Sequence, residues 1–272
     1  MHGGKEMGCE ETKVNKTVMA VCGKGGAGKT VLSSALVRVL GERRGGNRVL
    51  VVDADPAMGT AYLLGLPADV KSLGSVRDEL IEKARNTGNP DEIVGMIDYL
   101  LLEALYETKG FSFLAMGRSR ESGCFCPLNS LLKASIRKLA QNYDVVVVDA
   151  EAGLEQIKRE VMSFVDKIVV LTDNSRRSEH TLEIIMKMVA DLKMKAQVGV
   201  VMNRWQESNE DVNRRLSTSG VPIWGVIPED EQLLKNDAEG KSIFDLPANS
   251  AILESVSNVM EFLMSDMEEA KI

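Results

Sequence analysis

Two clusters of residues in this sequence carry chemistry by type and spacing. The first is Gly23-Lys24-Gly25-Gly26-Ala27-Gly28-Lys29-Thr30, a G-x-x-x-x-G-K-T run. Its glycines let backbone N–H groups converge without Cβ clashes. A helix opening here adds its N-terminal dipole and Lys29 a full positive charge, which makes a cradle for phosphates. Thr30 offers a hydroxyl to a Mg²⁺ ion bound with those phosphates. The second cluster is Gly123-Cys124-Phe125-Cys126-Pro127-Leu128-Asn129. Cys-x-Cys supplies two thiolates, whereas a closed zinc-type site takes about four ligands. Cys9, Cys22, His2 and His180 are remote in sequence. A two-fold dimer completes the count, each subunit giving Cys124 and Cys126 to one shared site. Pro127 suits the first turn of a helix and makes Cys126 an N-cap, where a thiol ionises more easily. Arg118 and Arg120 add positive charge nearby. A disulfide within Cys-x-Cys would be strained, and two buried small hydrophobes are the bland alternative. Cys22, on an apolar run, is expected to be core.

Carboxylates accompany the first cluster. Val51-Val52-Asp53-Ala54-Asp55-Pro56 ends one apolar run with acids two apart, and Val145–Asp149 ends another. Alone, such an acid is an ordinary cap or turn residue. Beside a phosphate cradle, Asp149 reads as the acid that holds a water on Mg²⁺. Gly153 suits a backbone that moves with the terminal phosphate. Val201-Met202-Asn203-Arg204 ends a strand without the N-K-x-D of guanine-selective sites. Trp205 is expected to pack rather than stack on a base, and Met186 and Met188 to pack as helix residues. Arg176-Arg177 reads as a solvated helix start.

Strands and helices must position these groups. Apolar, β-branched runs lie at 17–22, 48–53, 111–117, 144–149, 167–172, 197–203 and 222–227. Val145-Val146-Val147-Val148 has no polar alternation, which suits a strand covered on both faces. Helical periods occur at 91–107, 128–139, 176–192 and 251–264. The alternation predicts an α/β fold: one mostly parallel sheet of seven or eight strands with helices on both faces. A single domain is expected over residues 17–272, after a flexible N-terminal tail at 1–16. The 272 residues are 44% hydrophobic with a net charge of −7. That apolar share excludes disorder for most of the length, and the acidic balance argues against nucleic-acid or anionic-lipid partners. Four Cys are too few for a disulfide-stapled secreted domain. The start has no apolar run and no stretch is long enough to span a membrane, so a soluble, cytoplasmic protein is expected.

Lys24 refines the reading. Lys24-Gly25-Gly26-Ala27-Gly28-Lys29-Thr30 resembles the deviant Walker A of the MinD/ParA/NifH/ArsA class of P-loop ATPases. The resemblance implies that Lys24 reaches the nucleotide of a partner subunit in a face-to-face dimer, where a second cation stabilises transferring charge as an arginine finger does. It implies that Asp55 positions or deprotonates the attacking water, with Asp53 in support. Val31 stands where the class usually has Thr or Ser, so one hydroxyl is absent and the backbone amide remains. Val226-Ile227-Pro228-Glu229-Asp230 looks like the I-P-x-D loop that lines adenine in the MinD class, so Asn203 and Pro228 are assigned to the base and ATP is favoured over GTP. Together with these motifs, G-C-F-C-P-x-N resembles the CooC-type nickel-insertion ATPases of carbon monoxide dehydrogenase maturation, and the related proteins that serve acetyl-CoA synthase. Asp149-Ala150-Glu151-Ala152-Gly153-Leu154-Glu155 is similar to that branch's D-x-E-A-G-x-E, with Gln156 where a His often follows. The resemblance implies a homodimer bridged by nucleotide and by Ni²⁺ or Zn²⁺, which passes nickel to an apo-enzyme. An iron–sulfur cluster on Cys124 and Cys126, as in a NifH-like reductase, stays open at this point. So does a MinD- or ParA-like positioning ATPase, although the acidic 264–272 segment is unlike a basic membrane helix.

Overall fold

The computed structural model describes residues 16–42, 48–55, 57–87, 90–118, 134–150, 165–173, 175–206 and 220–264. The tail expected at 1–16 lies outside them save for Lys16. So do Cys124, Cys126, Arg120, Glu151, Gly153, Glu155 and Gln156.

Among the described residues, eight strands form one sheet: β1 (Thr17–Gly23), β2 (Val49–Asp53), β3 (Tyr106–Glu107), β4 (Ser112–Ala115), β5 (Val145–Asp149), β6 (Lys167–Thr172), β7 (Gln197–Trp205) and β8 (Ile223–Pro228). Their order is β3-β4-β2-β5-β1-β6-β7-β8. All neighbours pair in parallel except the antiparallel edge pair β3–β4. The described helices are α1 (Lys29–Glu42), α2 (Gly59–Leu63), α3 (Leu73–Thr87), α4 (Pro90–Ala104), α5 (134–140), α6 (Arg176–Asp191), α7 (Glu231–Ala238) and α8 (Ala251–Met264).

The continuous apolar strands are buried on both sides, and their side-chain alternation divides the core in two. Val18, Ala20, Val146 and Val148 join Leu80, Leu100, Leu139 and Leu182 from α3, α4, α5 and α6. Met19, Val21, Val145 and Val147 join Leu36, Leu40, Val256 and Met260 from α1 and α8. Cys22 is in the first of these layers at 1% exposure, and burial pushes its thiol up to about 12, so it is core as expected. Among the described residues, no helix is long and apolar enough to cross a membrane.

One expected element is corrected. The helix foreseen over 91–107 ends at Ala104, and Tyr106–Glu107 instead pairs with Phe113 and Ser112 as an edge strand. The turn Thr108-Lys109-Gly110 folds the chain back: the Thr108 hydroxyl donates to Phe111 O at 2.7 Å and accepts from the Phe111 amide at 3.0 Å. Helical period continues through Leu105, so apolar spacing alone hides this hairpin. Three described helices lie outside the ranges that the sequence predicts: α2, α3 and α7. In α3, Leu73, Val76, Leu80 and Ile81 recur at helical spacing and are all buried.

Candidate nucleotide site

The loop between β1 and α1 leaves the C-terminal edge of the sheet beside the ends of β5 and β6, at the crevice where open α/β sheets take their ligands. Two glycines are sterically required. Gly23 has φ +145°, and a Cβ there would stand 2.3 Å from Leu171 O. Gly28 has φ +97°, and its Cβ would meet Asn203 Nδ2 at 2.5 Å. Asn203, at the end of β7, donates from that nitrogen to Ala27 O at 2.7 Å, so it braces the phosphate loop directly. The Lys29 side chain is 9% exposed and folds over the loop, its Nζ donating to Lys24 O at 3.2 Å.

Across the loop stand two buried carboxylates. Asp53 and Asp149 are register partners at the ends of β2 and β5. Asp53 spends both oxygens on backbone amides, accepting from Asp55 N at 2.9 Å and Thr60 N at 3.1 Å. Asp149 accepts from Ser33 Oγ at 3.2 Å and Thr60 Oγ1 at 2.6 Å, and from the Thr30 hydroxyl. Burial raises the Asp53 carboxyl to about 7, with the Asp149 charge adding to the rise and the two amides opposing it. Burial likewise raises Asp149, against hydrogen bonds from Thr60, Thr30 and Ser33 and the Lys29 charge. Two desolvated acids set among hydroxyls fit Mg²⁺, which takes one or two carboxylates and keeps waters and phosphate oxygens as its other ligands. Thr30 and Asp149 are the residues that would hold it. Asp55 is half-buried, and its carboxylate closes a turn on its own loop by accepting from Ala57 N at 2.8 Å.

Lys24 is engaged within this chain. Its Nζ pairs with Asp173 at 2.5 Å and donates to Ser175 Oγ at 3.2 Å. Burial would raise the Asp173 carboxyl, but hydrogen bonds from Lys24, Ser175 and Ser178 outweigh it and hold the group well below the usual carboxylate range. Ser175 also caps α6, where Arg176 is a solvated first residue as expected.

A cavity of about 140 Å³ opens beside the loop. It brings together Gly28, Val31, Asn203 and Pro228, the last two being the residues assigned to the base, with Leu63 and Asp237. Trp205 packs against the core. Asp230 is the N-cap of α7 and also accepts from Ile252 N at 3.0 Å, so it joins the base-side loop to α8. Sequence reasoning missed Thr60, Ser33, Leu63 and Asp173. Asp173 had a usable signal, since it ends an apolar strand as Asp53 and Asp149 do. Among the described residues, no group of three or more His, Cys, Asp or Glu is placed to hold a metal ion.

A strand–loop–helix phosphate cradle with acids at the flanking strand ends defines a nucleotide-binding α/β protein. The chain belongs to the CobQ/CobB/MinD/ParA nucleotide-binding domain family, whose model matches residues 18–243, and it is an ATPase of that class. It is 34% identical over 256 residues to an uncharacterized ATP-binding protein of Methanocaldococcus jannaschii, covering 91% of this chain and 98% of that one. It is 29% identical to the carbon monoxide dehydrogenase accessory protein CooC of Rhodospirillum rubrum, over 84% of this chain and 89% of that protein. The structure of the MinD cell division protein of Aquifex aeolicus superposes with a TM-score of 0.68 at 19% identity, covering 92% of this chain and 97% of that one.

Proposed function

We propose that this chain is a cytoplasmic, ATP-driven metallochaperone that carries Ni²⁺ (or Zn²⁺) on Cys124 and Cys126 and matures a nickel enzyme such as carbon monoxide dehydrogenase or acetyl-CoA synthase. The observation that carries this reading is the likeness to CooC over 84% of the chain, taken with the Cys-x-Cys at 124–126. The fold adds support. The segment holding the thiols follows β4, and just past that strand Met116 N donates to Asp53 O at 2.8 Å. The chain bearing the cysteines therefore departs one strand away from the acid that fixes the Asp55 loop.

In this reading Gly25, Gly26, Ala27, Gly28 and Val31 wrap the phosphates with backbone amides, and Lys29 neutralises their charge. Mg²⁺, held by Thr30 and Asp149 when bound, supplies charge neutralisation on the terminal phosphates. Asp53 holds the loop that lets Asp55 orient the attacking water. Lys24 leaves Asp173 to engage the nucleotide of a second copy, and the two subunits bring four thiolates to one metal ion. Hydrolysis relaxes that dimer and lowers its hold on the metal, which passes to the client.

Anaerobic metal analysis with size-exclusion chromatography and light scattering, with and without ATP, tests the proposal. One ion per two chains is expected, with metal and ATP both favouring the dimer. Cys124→Ala/Cys126→Ala should abolish that binding and leave ATP binding intact. One ion per chain that survives the double substitution refutes the shared site. The runner-up, a MinD- or ParA-like positioning ATPase, is supported by the likeness to MinD and requires ATP-dependent co-sedimentation with anionic vesicles or DNA.

A further inference from the structure

Helix α2 is five residues long, and the residue at its N-cap, Met58, has φ 56° and makes no side-chain capping bond. The helix is instead held by Thr60, which is fully buried. The Thr60 amide donates to Asp53 Oδ2 at 3.1 Å, and its hydroxyl donates to Asp149 Oδ2 at 2.6 Å. One residue thus bridges two carboxylates that end adjacent strands and repel one another. The Ser33 hydroxyl on the other Asp149 oxygen is longer, at 3.2 Å. Three residues past Thr60, Leu63 lines the cavity that also holds Asn203 and Pro228. A single helical turn therefore touches the base cavity at one end and both acids at the other.

We propose that Thr60 is a positioning residue for the Mg²⁺–nucleotide complex. Its hydroxyl fixes the rotamer of the Asp149 carboxylate while its amide fixes Asp53, and so it ties the loop carrying Asp55 to the acid on β5. The inference rests on the nucleotide reading of this site and is independent of metal delivery through the cysteines.

Thr60→Val keeps the shape and the amide and removes the hydroxyl; Thr60→Ser restores the hydroxyl. The readouts are the dissociation constant of a fluorescent ATP analogue in Mg²⁺ and in EDTA, and kcat and KM for ATP. With one short hydrogen bond to a charged group removed, Thr60→Val should bind about ten-fold more weakly in Mg²⁺ and within about two-fold of wild type in EDTA. Its kcat should fall at least about ten-fold, and Thr60→Ser should stay within about three-fold of wild type in every measurement. Equal binding by Thr60→Val in Mg²⁺ overturns the proposal. So does an equal loss in Mg²⁺ and EDTA, which is what a packing role alone produces. Should Thr60→Val fail to fold, as judged by circular dichroism, Thr60→Ala is measured in its place against the same two outcomes. Wild-type protein that binds no nucleotide in either buffer overturns the site itself, and this inference with it.

Discussion

Replacing Asp53 by Asn should move stability and activity in opposite directions. Asp53 is at 0% exposure, beside Asp149 in register. Burial lifts its pKa from 3.8 to about 7. A carboxyl that binds its proton more tightly when folded favours the folded state at low pH, and this advantage is lost as pH rises from about 4 through about 7. A rise of roughly three units at ~1.4 kcal/mol each puts the cost of the ionised group at roughly 4 kcal/mol above pH 7. Asn has the same shape and no charge, but only one acceptor oxygen for the Asp55 and Thr60 amides, so one amide loses its partner at a cost of about 1–2 kcal/mol. The net expectation is a nucleotide-free variant about 2 kcal/mol more stable at pH 8, a rise in Tm of roughly 5 °C. That advantage should shrink by about 2–3 kcal/mol at pH 5, where the wild-type carboxyl keeps its proton. ATP turnover should fall at least about ten-fold, because the loop from Asp55 to Thr60 loses one of its two anchors. Thermal melts by circular dichroism between pH 5 and pH 8, with steady-state ATP hydrolysis at pH 8, measure both effects. A variant less stable than wild type at pH 8, or one whose difference from wild type is the same at both ends of the range, would refute the reasoning.

Three further substitutions probe other parts of the site. Gly28→Ala puts a Cβ 2.5 Å from Asn203 Nδ2 at φ +97°, so the amide must leave Ala27 O; about 1–3 kcal/mol of strain and a ten-fold or greater loss of nucleotide affinity are expected in a fluorescence titration. Asp173→Asn frees Lys24; the largely buried carboxylate also accepts from the Ser175 and Ser178 hydroxyls, so a loss of about 1–3 kcal/mol is expected at neutral pH, while ATP-dependent self-association measured by light scattering should rise. The depressed pKa of Asp173 adds stability above the usual carboxylate range that is lost as pH falls through its folded value, and Asp173→Asn should flatten that acid limb of the Tm profile. Arg38 is 5% exposed and its guanidinium donates to Ile243 O at 2.6 Å and Leu246 O at 2.8 Å. Arg38→Met takes the guanidinium from both carbonyls, leaving Ile243 O only the Leu246 amide at 3.4 Å, and a loss of about 2–4 kcal/mol in urea unfolding is expected, with ATP affinity within a few-fold of wild type.

The phosphate loop was legible because its demands are local. Gly23 and Gly28 adopt backbone conformations that side chains resist, and Lys29 and Thr30 follow at the first turn of α1. The strands were legible for a related reason: a run such as Val145–Val148 has no polar residue to face water, so both its faces must be covered. Asp53 and Asp149 could be placed at strand ends from the apolar runs before them. Their protonation could not, since it depends on burial and on a neighbour that only the β2–β5 register supplies.

Strand β3 was hidden because two residues carry no periodicity, and its partner lies across a turn. Asn203 was assigned to the base; its bond to Ala27 spans the whole distance from β7 back to β1, and nothing around residue 203 announces it. The Lys24–Asp173 pair and the two bonds of Thr60 are likewise meetings of residues far apart in the chain. By itself the amino-acid order determined a parallel α/β sheet, a phosphate-binding turn and the acids that face it, since these follow from backbone sterics and from short-range apolar patterning. Only the folded molecule decided which hydroxyl meets which carboxylate and what holds Lys24, because such contacts are set by strand order and register, and those emerge when the whole sheet assembles.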